Sequence, residues 1–212
     1  MNKNHTINLD KIESIFNSRK PEVIGQYHYF SVLVPLVVIE EELHILYEVR
    51  SDTLKRQPGE ICFPGGRMEA GETEETCALR EATEELGIPM SAIRVIAQLD
   101  SLYTYSNFTM YSFLGVIDRE ELKNATINTE EVKSIFTIPL SQLLETSPFI
   151  YKMDIIPDVG DDFPYKLVNF SNGYNWRKGK SEVPIYHFDG KTIWGLTARI
   201  THNLVKIIQQ KK

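Results

Sequence analysis

The chain has 212 residues, 42% hydrophobic and 25% charged, with a formal net charge of −6. Such a composition suits one large or two small globular units able to bury a core, and the negative balance argues against a nucleic-acid surface held by bulk charge. Two cysteines, Cys62 and Cys77, make no disulfide framework, and no run of about 18 apolar residues offers a membrane span.

The first residues, Met1-Asn2-Lys3-Asn4-His5, lack the apolar core of a signal peptide. Asn8 or Asp10 can cap a short helix carrying Ile12, Ile15 and Phe16, so residues 1–24 are expected to form a helical extension packed on a main body of 25–212. Ser31 to Ile39 is apolar and β-branched and predicts a buried strand, with Pro35 hinting at an edge or bulge. Glu40-Glu41-Glu42 predicts a turn, and Leu43 to Val49 the return strand of a hairpin. Arg50 to Cys62 reads as a polar loop that clusters Arg50, Lys55 and Arg56 in an otherwise acidic chain. That loop is either simply solvated or a phosphate contact. Phe63-Pro64-Gly65-Gly66 is a side-chain-poor turn in which the backbone can approach a ligand.

Between Gly71 and Gly87 nothing breaks a helix, so Thr73 to Leu86 is predicted helical, with Thr73 as N-cap and Gly87 at the C-terminal cap. Cys77 falls on the polar side of this helix and is read as a packing residue. Ile93 to Leu99 and Met110 to Ile117 predict strands, joined by the polar Tyr103–Asn107 loop. Ile135 to Leu140 predicts another strand, and Ser141 a cap for a short helix with Leu143 and Leu144. Residues 148–183 are rich in aromatics, Pro, Gly and Asp without clear periodicity, and are expected to be an insertion or the strands of a hairpin. Ile185 to Phe188 predicts a strand, Asp189-Gly190 a turn, and Ile193 to Ile208 an amphipathic helix. The chain closes on Gln209-Gln210-Lys211-Lys212 rather than on a peroxisomal Ser-Lys-Leu address, so the cytoplasm is the expected compartment.

The helix 73–86 poses a stability problem. Glu81, Glu84 and Glu85 share one face in the last turn and a half, where the dipole disfavours negative charge and like charges repel at roughly 0.2–0.5 kcal/mol per pair. Two readings follow from the carboxylates alone. They form a solvated acidic face, or they hold a hard divalent cation such as Mg²⁺ or Mn²⁺.

Gly66, Glu72, Arg80, Glu81, Glu84, Glu85 and Gly87 together resemble the Nudix box, Gly-x5-Glu-x7-Arg-Glu-U-x-Glu-Glu-x-Gly-U with U apolar, where Ala82 and Ile88 fill the U positions. Seven fixed residue types at about 7% frequency each arise by chance in such a chain roughly once in a million, which disfavours the solvated face. A narrower likeness is to the coenzyme A pyrophosphatase branch. Arg50, Ser51, Gly59 and Phe63-Pro64-Gly65-Gly66 fit its upstream pattern, while Tyr47, Glu48 and Lys55 replace Leu, Thr and Arg; neighbouring Arg56 could take the second Arg's role. Trp194-Gly195-Leu196-Thr197-Ala198 resembles the branch's C-terminal motif.

The resemblance implies an α/β/α sandwich with a mixed sheet and a hydrolase splitting nucleoside diphosphates linked to another group. It implies that Glu81, Glu84 and Glu85, with the Gly65 carbonyl, hold the cation, and that Glu81 could alternatively orient or deprotonate the water. Arg80 would pair with Glu72 to fix loop to helix, with Gly87 as further structural support; Arg80 is counted with Glu81 and Glu84 at the catalytic centre. Glu131, with Glu130 as rival, would be the general base from outside the box. Arg50, Lys55, Arg56 and Gly66 would meet the substrate, and Tyr103, Tyr105 and Phe108 are candidate covers for adenine or the pantetheine arm. For coenzyme A or its thioesters the products would be 3′,5′-ADP and 4′-phosphopantetheine. A general pyrophosphatase, for example of ADP-ribose, is the alternative enzyme, and a nucleotide-binding regulatory module the non-enzymatic one. The expected partner is a small-molecule nucleotide, with neither nucleic acid nor membrane, and a homodimer stays open.

Overall fold

Strand β1 (His28–Ile39) is the spine of the molecule. A two-residue turn, Glu40-Glu41, folds it back onto β2 (Glu42–Arg50) with Ile39 opposite Glu42. Both turn glutamates have positive φ, 50° and 67°, as the twist of a tight hairpin requires. On its other side β1 runs parallel to β7 (Phe108–Ile117). The computed structural model describes residues 7–21 and 23–210; the expectations about Met1–His5, Lys211 and Lys212 lie outside them.

The larger sheet has the order β3-β2-β1-β7-β5, where β3 is Ile61–Cys62 and β5 is Ile93–Gln98. Three further strands attach to it: β4 (Gly65–Arg67) to β1, β6 (Leu102–Tyr103) to β7, and β8 (Val132–Pro139) to β2. One parallel pair among antiparallel ones makes the sheet mixed. Period-2 alternation along β1 then divides the core. Leu33 and Val37 face helix α2 (Glu74–Leu86), together with Leu46, Ala78, Ala82 and Leu86. Val32, Val34 and Leu36 face the opposite layer, with Ile45, Tyr47, Ala198, Leu204 and Val205. That layer is made by helix α5 (Gly195–Gln210) and a three-stranded antiparallel sheet of β9 (Phe149–Ile155), β10 (Gly179–Phe188) and β11 (Lys191–Trp194). The architecture is the expected α/β/α class around a mixed sheet.

Pro35 lies in a central strand and not at an edge, because its partner changes there. Pairing to β4 ends at Val32 opposite Gly65, and pairing to β2 begins at Leu36 opposite Ile45. The missing N–H falls in that gap, where no ladder bond is lost. The final helix starts at Gly195 (φ 65°), not at Ile193, because Ile193 and Trp194 complete strand β11. Ser141 does not cap its helix. Helix α4 (Leu140–Glu145) follows Pro139 with no side-chain cap, and Ser141 Oγ donates instead to the Glu42 carboxylate. A fifth short helix, α3 (Arg119–Lys123), was not foreseen; Asp118 caps it by accepting the N–H groups of Glu120 and Glu121.

Helix α1 (Leu9–Phe16) forms where expected, with Asn8 accepting the Lys11 N–H at 3.0 Å. It buries none of its residues, so the packing on the main body expected for this segment is not found. Within 148–183, β9 and β10 are hairpin arms, and the connection between them holds its own aromatic cluster. Phe163 meets Tyr165 and Trp176 edge-on, with ring centroids 4.8 and 5.2 Å apart. Aromatics packed on one another in a loop leave no periodicity for a sequence to display. No helix among the described residues is long and apolar enough to cross a membrane.

Candidate active site

The site grows from the two ends of α2. At the start, Thr73 Oγ1 accepts the Thr76 N–H at 3.2 Å. At the finish, Gly87 takes the left-handed conformation (φ 64°) and its N–H donates to Thr83. A Cβ there would strike the Thr126 carbonyl, so glycine is required twice over. The inner face of α2 buries Cys77, Ala78, Ala82, Glu85 and Leu86. Cys77 therefore lies on the packed face, correcting its expected place on the polar side. Burial and the neighbouring Glu72 and Glu81 charges push its thiol up to about 12, which makes it inert. Ala82 is small because the helix rests on the sheet at that point.

Arg80 ties the loop to the helix. Its Nε donates to Glu72 Oε1 at 2.9 Å and its Nη2 to Glu72 Oε2 at 3.2 Å, a two-pronged pair. Glu72 also accepts the Glu69 N–H at 3.0 Å. The Arg80 hydrogen bonds and then this N–H hold the Glu72 carboxyl below its ordinary range. The same guanidinium reaches back along the helix: Nη1 stands 2.9 Å from Glu81 and 3.2 Å from Glu84.

Glu85 is 4% exposed and accepts the Gly65 N–H at 2.8 Å. Burial pushes its carboxyl upward against that hydrogen bond, and the Glu81 and Glu131 charges push in the same direction. Glu81 is half-buried and raised, first by burial, with Arg80 opposing. The turn Gly65-Gly66 lets these groups close up. A Cβ on Gly66 would strike the Glu81 carboxyl, whereas one on Gly65 would strike the Ser31 carbonyl and the Val32 backbone. The two substitutions should therefore differ. Gly66→Ala is expected to fold and to displace a flexible side chain, weakening Mn²⁺ binding in a calorimetric titration. Gly65→Ala is expected to cost the β1–β4 pairing itself, visible as a lowered melting temperature.

Two residues complete the constellation. Glu131 sits in an exposed turn just before β8, and its charge acts on Glu48, Glu81 and Glu85. Its backbone carbonyl accepts the Ser51 N–H at 2.8 Å, which fixes the turn against the end of β2. Glu48 was not singled out as a site residue from the sequence. It is 1% exposed beside Glu85, with no hydrogen-bond partner for either oxygen. Burial and then the Glu85 charge push it well above the usual carboxylate range. A signal existed: Glu48 alternates with Leu46 on the face of β2 that α2 covers, so a charge was entering the core.

The expected substrate cations lie on two successive elements. Arg50 ends β2 partly buried, with its Nε enclosed and unpartnered, and its charge eases Glu48 and Glu85. Lys55 and Arg56 stand exposed on the following loop. Tyr103 and Tyr105 are each 64% exposed, while Phe108 packs edge-on against Phe30 at 5.5 Å.

This donor set fits a hard divalent cation. Glu48, Glu81, Glu84 and Glu85 offer oxygen as the sole donor type, and Glu48 and Glu85 are nearly buried without a cationic partner at hydrogen-bond distance. No three acidic side chains among the described residues already meet at one centre. Glu81 and Glu84 turn to Arg80 instead, and would swing from Nη1 to reach a cation. Because Glu48, Glu81 and Glu85 are raised, cation binding should release protons near neutral pH, and affinity should rise with pH. Titration calorimetry with Mg²⁺ in buffers of different ionisation enthalpy measures this directly. The same shifts make the protein in chelator lose stability as pH climbs above the ordinary carboxylate value of 4.5, since raised carboxyls stabilise only while protonated.

A carboxylate-faced helix locked by an Arg–Glu pair to a Gly-Gly turn, on a mixed sheet between helical layers, defines a Nudix hydrolase. Residues 30–155 match the NUDIX domain, and the chain belongs to that family of metal-dependent pyrophosphatases. It is 29% identical over 205 residues to "Nudix hydrolase 3" of Caenorhabditis elegans, covering 94% of this chain and 82% of that one. It is 38% identical over 152 residues to mouse "Peroxisomal coenzyme A diphosphatase NUDT7", covering 68% of this chain and 62% of that one. Likeness to the "Uncharacterized Nudix hydrolase NudL" of Yersinia enterocolitica is 34% over 205 residues, 93% of this chain and 92% of that one.

Proposed function

We propose that this protein hydrolyses the diphosphate of coenzyme A or its thioesters, using Mg²⁺ or Mn²⁺. Water adds to one phosphorus, the bridging P–O bond breaks, and the products are 3′,5′-ADP and 4′-phosphopantetheine or its acyl form. The observation that carries the choice of substrate is the 38% identity with a protein named as a coenzyme A diphosphatase. The Arg50-Ser51 and Phe63–Gly66 runs of that branch support it, as does the C-terminal motif. Thr197 of that motif donates to the Ile61 carbonyl at 3.1 Å, so α5 braces the strand leading into Gly65-Gly66.

In this reading Glu81, Glu84, Glu85 and the Gly65 carbonyl hold the cation. A divalent cation held there would supply positive charge for the diphosphate and lower the pKa of the attacking water. Glu131, whose charge acts on Glu81 and Glu85, accepts the water's proton. Arg80 and Glu72 keep the helix and the Gly65-Gly66 turn in register, so the ligands stay where the diphosphate lies. Gly66 leaves room for phosphate against the backbone, and Arg50, Lys55 and Arg56 supply positive charge for the 3′-phosphate. The replacements at Tyr47, Glu48 and Lys55 favour a broader pyrophosphatase as the second reading. Coenzyme A, ADP-ribose, diadenosine polyphosphates and nucleoside triphosphates, each with Mg²⁺ or Mn²⁺, separate the two. Release of 3′,5′-ADP from coenzyme A with the highest kcat/KM is the expected result, and faster cleavage of ADP-ribose would overturn the choice.

A further inference from the structure

Glu48 stands in the middle of β2, opposite Cys62 on one neighbouring strand and Ile135 on the other. Both faces of the sheet are covered there, and the side chain is 1% exposed with both carboxylate oxygens free of any hydrogen-bond partner. A buried carboxylate of this kind is normally paired or coordinates a metal. Removing an unpartnered carboxylate from water is strongly unfavourable unless it binds a proton or a cation. Among its neighbours the one that acts most on it is Glu85, itself a carboxylate and 4% exposed. Arg50 is close enough to ease both, yet its Nε is also unpartnered and no ion pair joins it to Glu48 among the described residues. Protein groups therefore leave the pair short of positive charge, at the one place where α2, the Gly65 turn and β2 meet.

We propose that Glu48 is a further ligand of the cation site, binding beneath Glu85 on the sheet side of the helix. The inference rests on the reading that Glu81, Glu84 and Glu85 hold metal, and extends that set by a carboxylate from a different element. Its consequence is a deeper, more anionic site than the helix alone provides, with capacity for a cation that substrate does not touch.

The test is Mn²⁺ binding followed by electron paramagnetic resonance on four proteins: wild type, Glu48→Gln, Glu48→Thr and Glu84→Gln. Wild type is expected to bind Mn²⁺, with Glu48→Gln and Glu48→Thr losing one bound equivalent or about 10–100-fold in affinity. Melting in excess EDTA checks the fold independently. Both Glu48 variants are expected to melt at or above the wild-type temperature there, because each removes a buried carboxyl group that has no hydrogen-bond partner, and to gain less on adding Mn²⁺. Unchanged Mn²⁺ affinity and stoichiometry in both Glu48 variants, with Glu84→Gln weakened, would overturn Glu48 as a ligand while sparing the helix site. Loss of melting temperature in EDTA with Mn²⁺ binding intact would also overturn it, by showing a packing role. If wild type binds no Mn²⁺, the metal site and this extension of it fall together.

Discussion

Glu84→Gln is expected to lower turnover about 100-fold or more while leaving the melting temperature within about 1 °C of wild type. The two effects separate because Glu84 is exposed and contributes little to the fold. Its side chain is 56% accessible and touches only Arg80 Nη1, at 3.2 Å. An exposed helical pair of this kind is worth about 0.3–0.5 kcal/mol. Neutralising the residue also removes its repulsion from Glu81, three positions earlier, worth roughly 0.2–0.5 kcal/mol. The two terms oppose and nearly cancel. Steady-state rates with Mg²⁺ alongside thermal melting test the pair of claims, and near-normal turnover would remove Glu84 from the cation site.

Arg80→Ala should behave in the opposite way, losing stability and activity together. Arg80 makes the two-pronged pair with Glu72, whose side chain is only 9% exposed, and bridges to Glu81 as well. Deleting the guanidinium strands a nearly buried carboxylate and leaves Glu81 uncompensated. A loss of about 2 kcal/mol is expected, or a melting temperature about 4–8 °C lower. The pH dependence gives the mechanism away. Glu72 is held below its ordinary 4.5 by Arg80, so its contribution is present above that pH and fades as pH falls through the lowered value. The stability gap between wild type and variant should be full at pH 7 and narrow as pH falls below 4.5 and through the lowered value. A gap unchanged down to pH 3 would show that Arg80 acts through packing of its stem.

How far the sequence foretold these residues depended on whether the interaction was local. Thr73, Gly87 and the Glu72–Arg80 pair lie within one loop and helix, where spacing alone determines who meets whom. The hairpin of β1 and β2 was legible for the same reason. Glu48 was not, because its burial depends on β8, β3 and α2 closing over β2 from distant parts of the chain. Tyr47, a departure from the family pattern, makes sense only in three dimensions. It is stacked between Phe63 and Phe136, with centroids 5.0 and 5.6 Å away, and its hydroxyl meets Thr201 at 3.1 Å. Arg50, Lys55 and Arg56 are near one another in sequence, but Arg50 is the last residue of β2 and half-buried while the other two are exposed on the loop after it. The connection between β9 and β10 hid itself by packing aromatic on aromatic.

The turn that carries Glu131 is fastened at three points. Thr126 lies against Gly87, the Asn128 N–H donates to the Glu85 carbonyl at 3.0 Å, and the Glu131 carbonyl accepts from Ser51. The first two anchors are on the very helix that presents the other carboxylates. The turn of Glu131 and the acidic helix are thus jaws of one calliper, set relative to each other when the chain folds. Chain ordering that fixes Glu131 relative to the acidic helix is therefore completed on folding, before any ligand arrives.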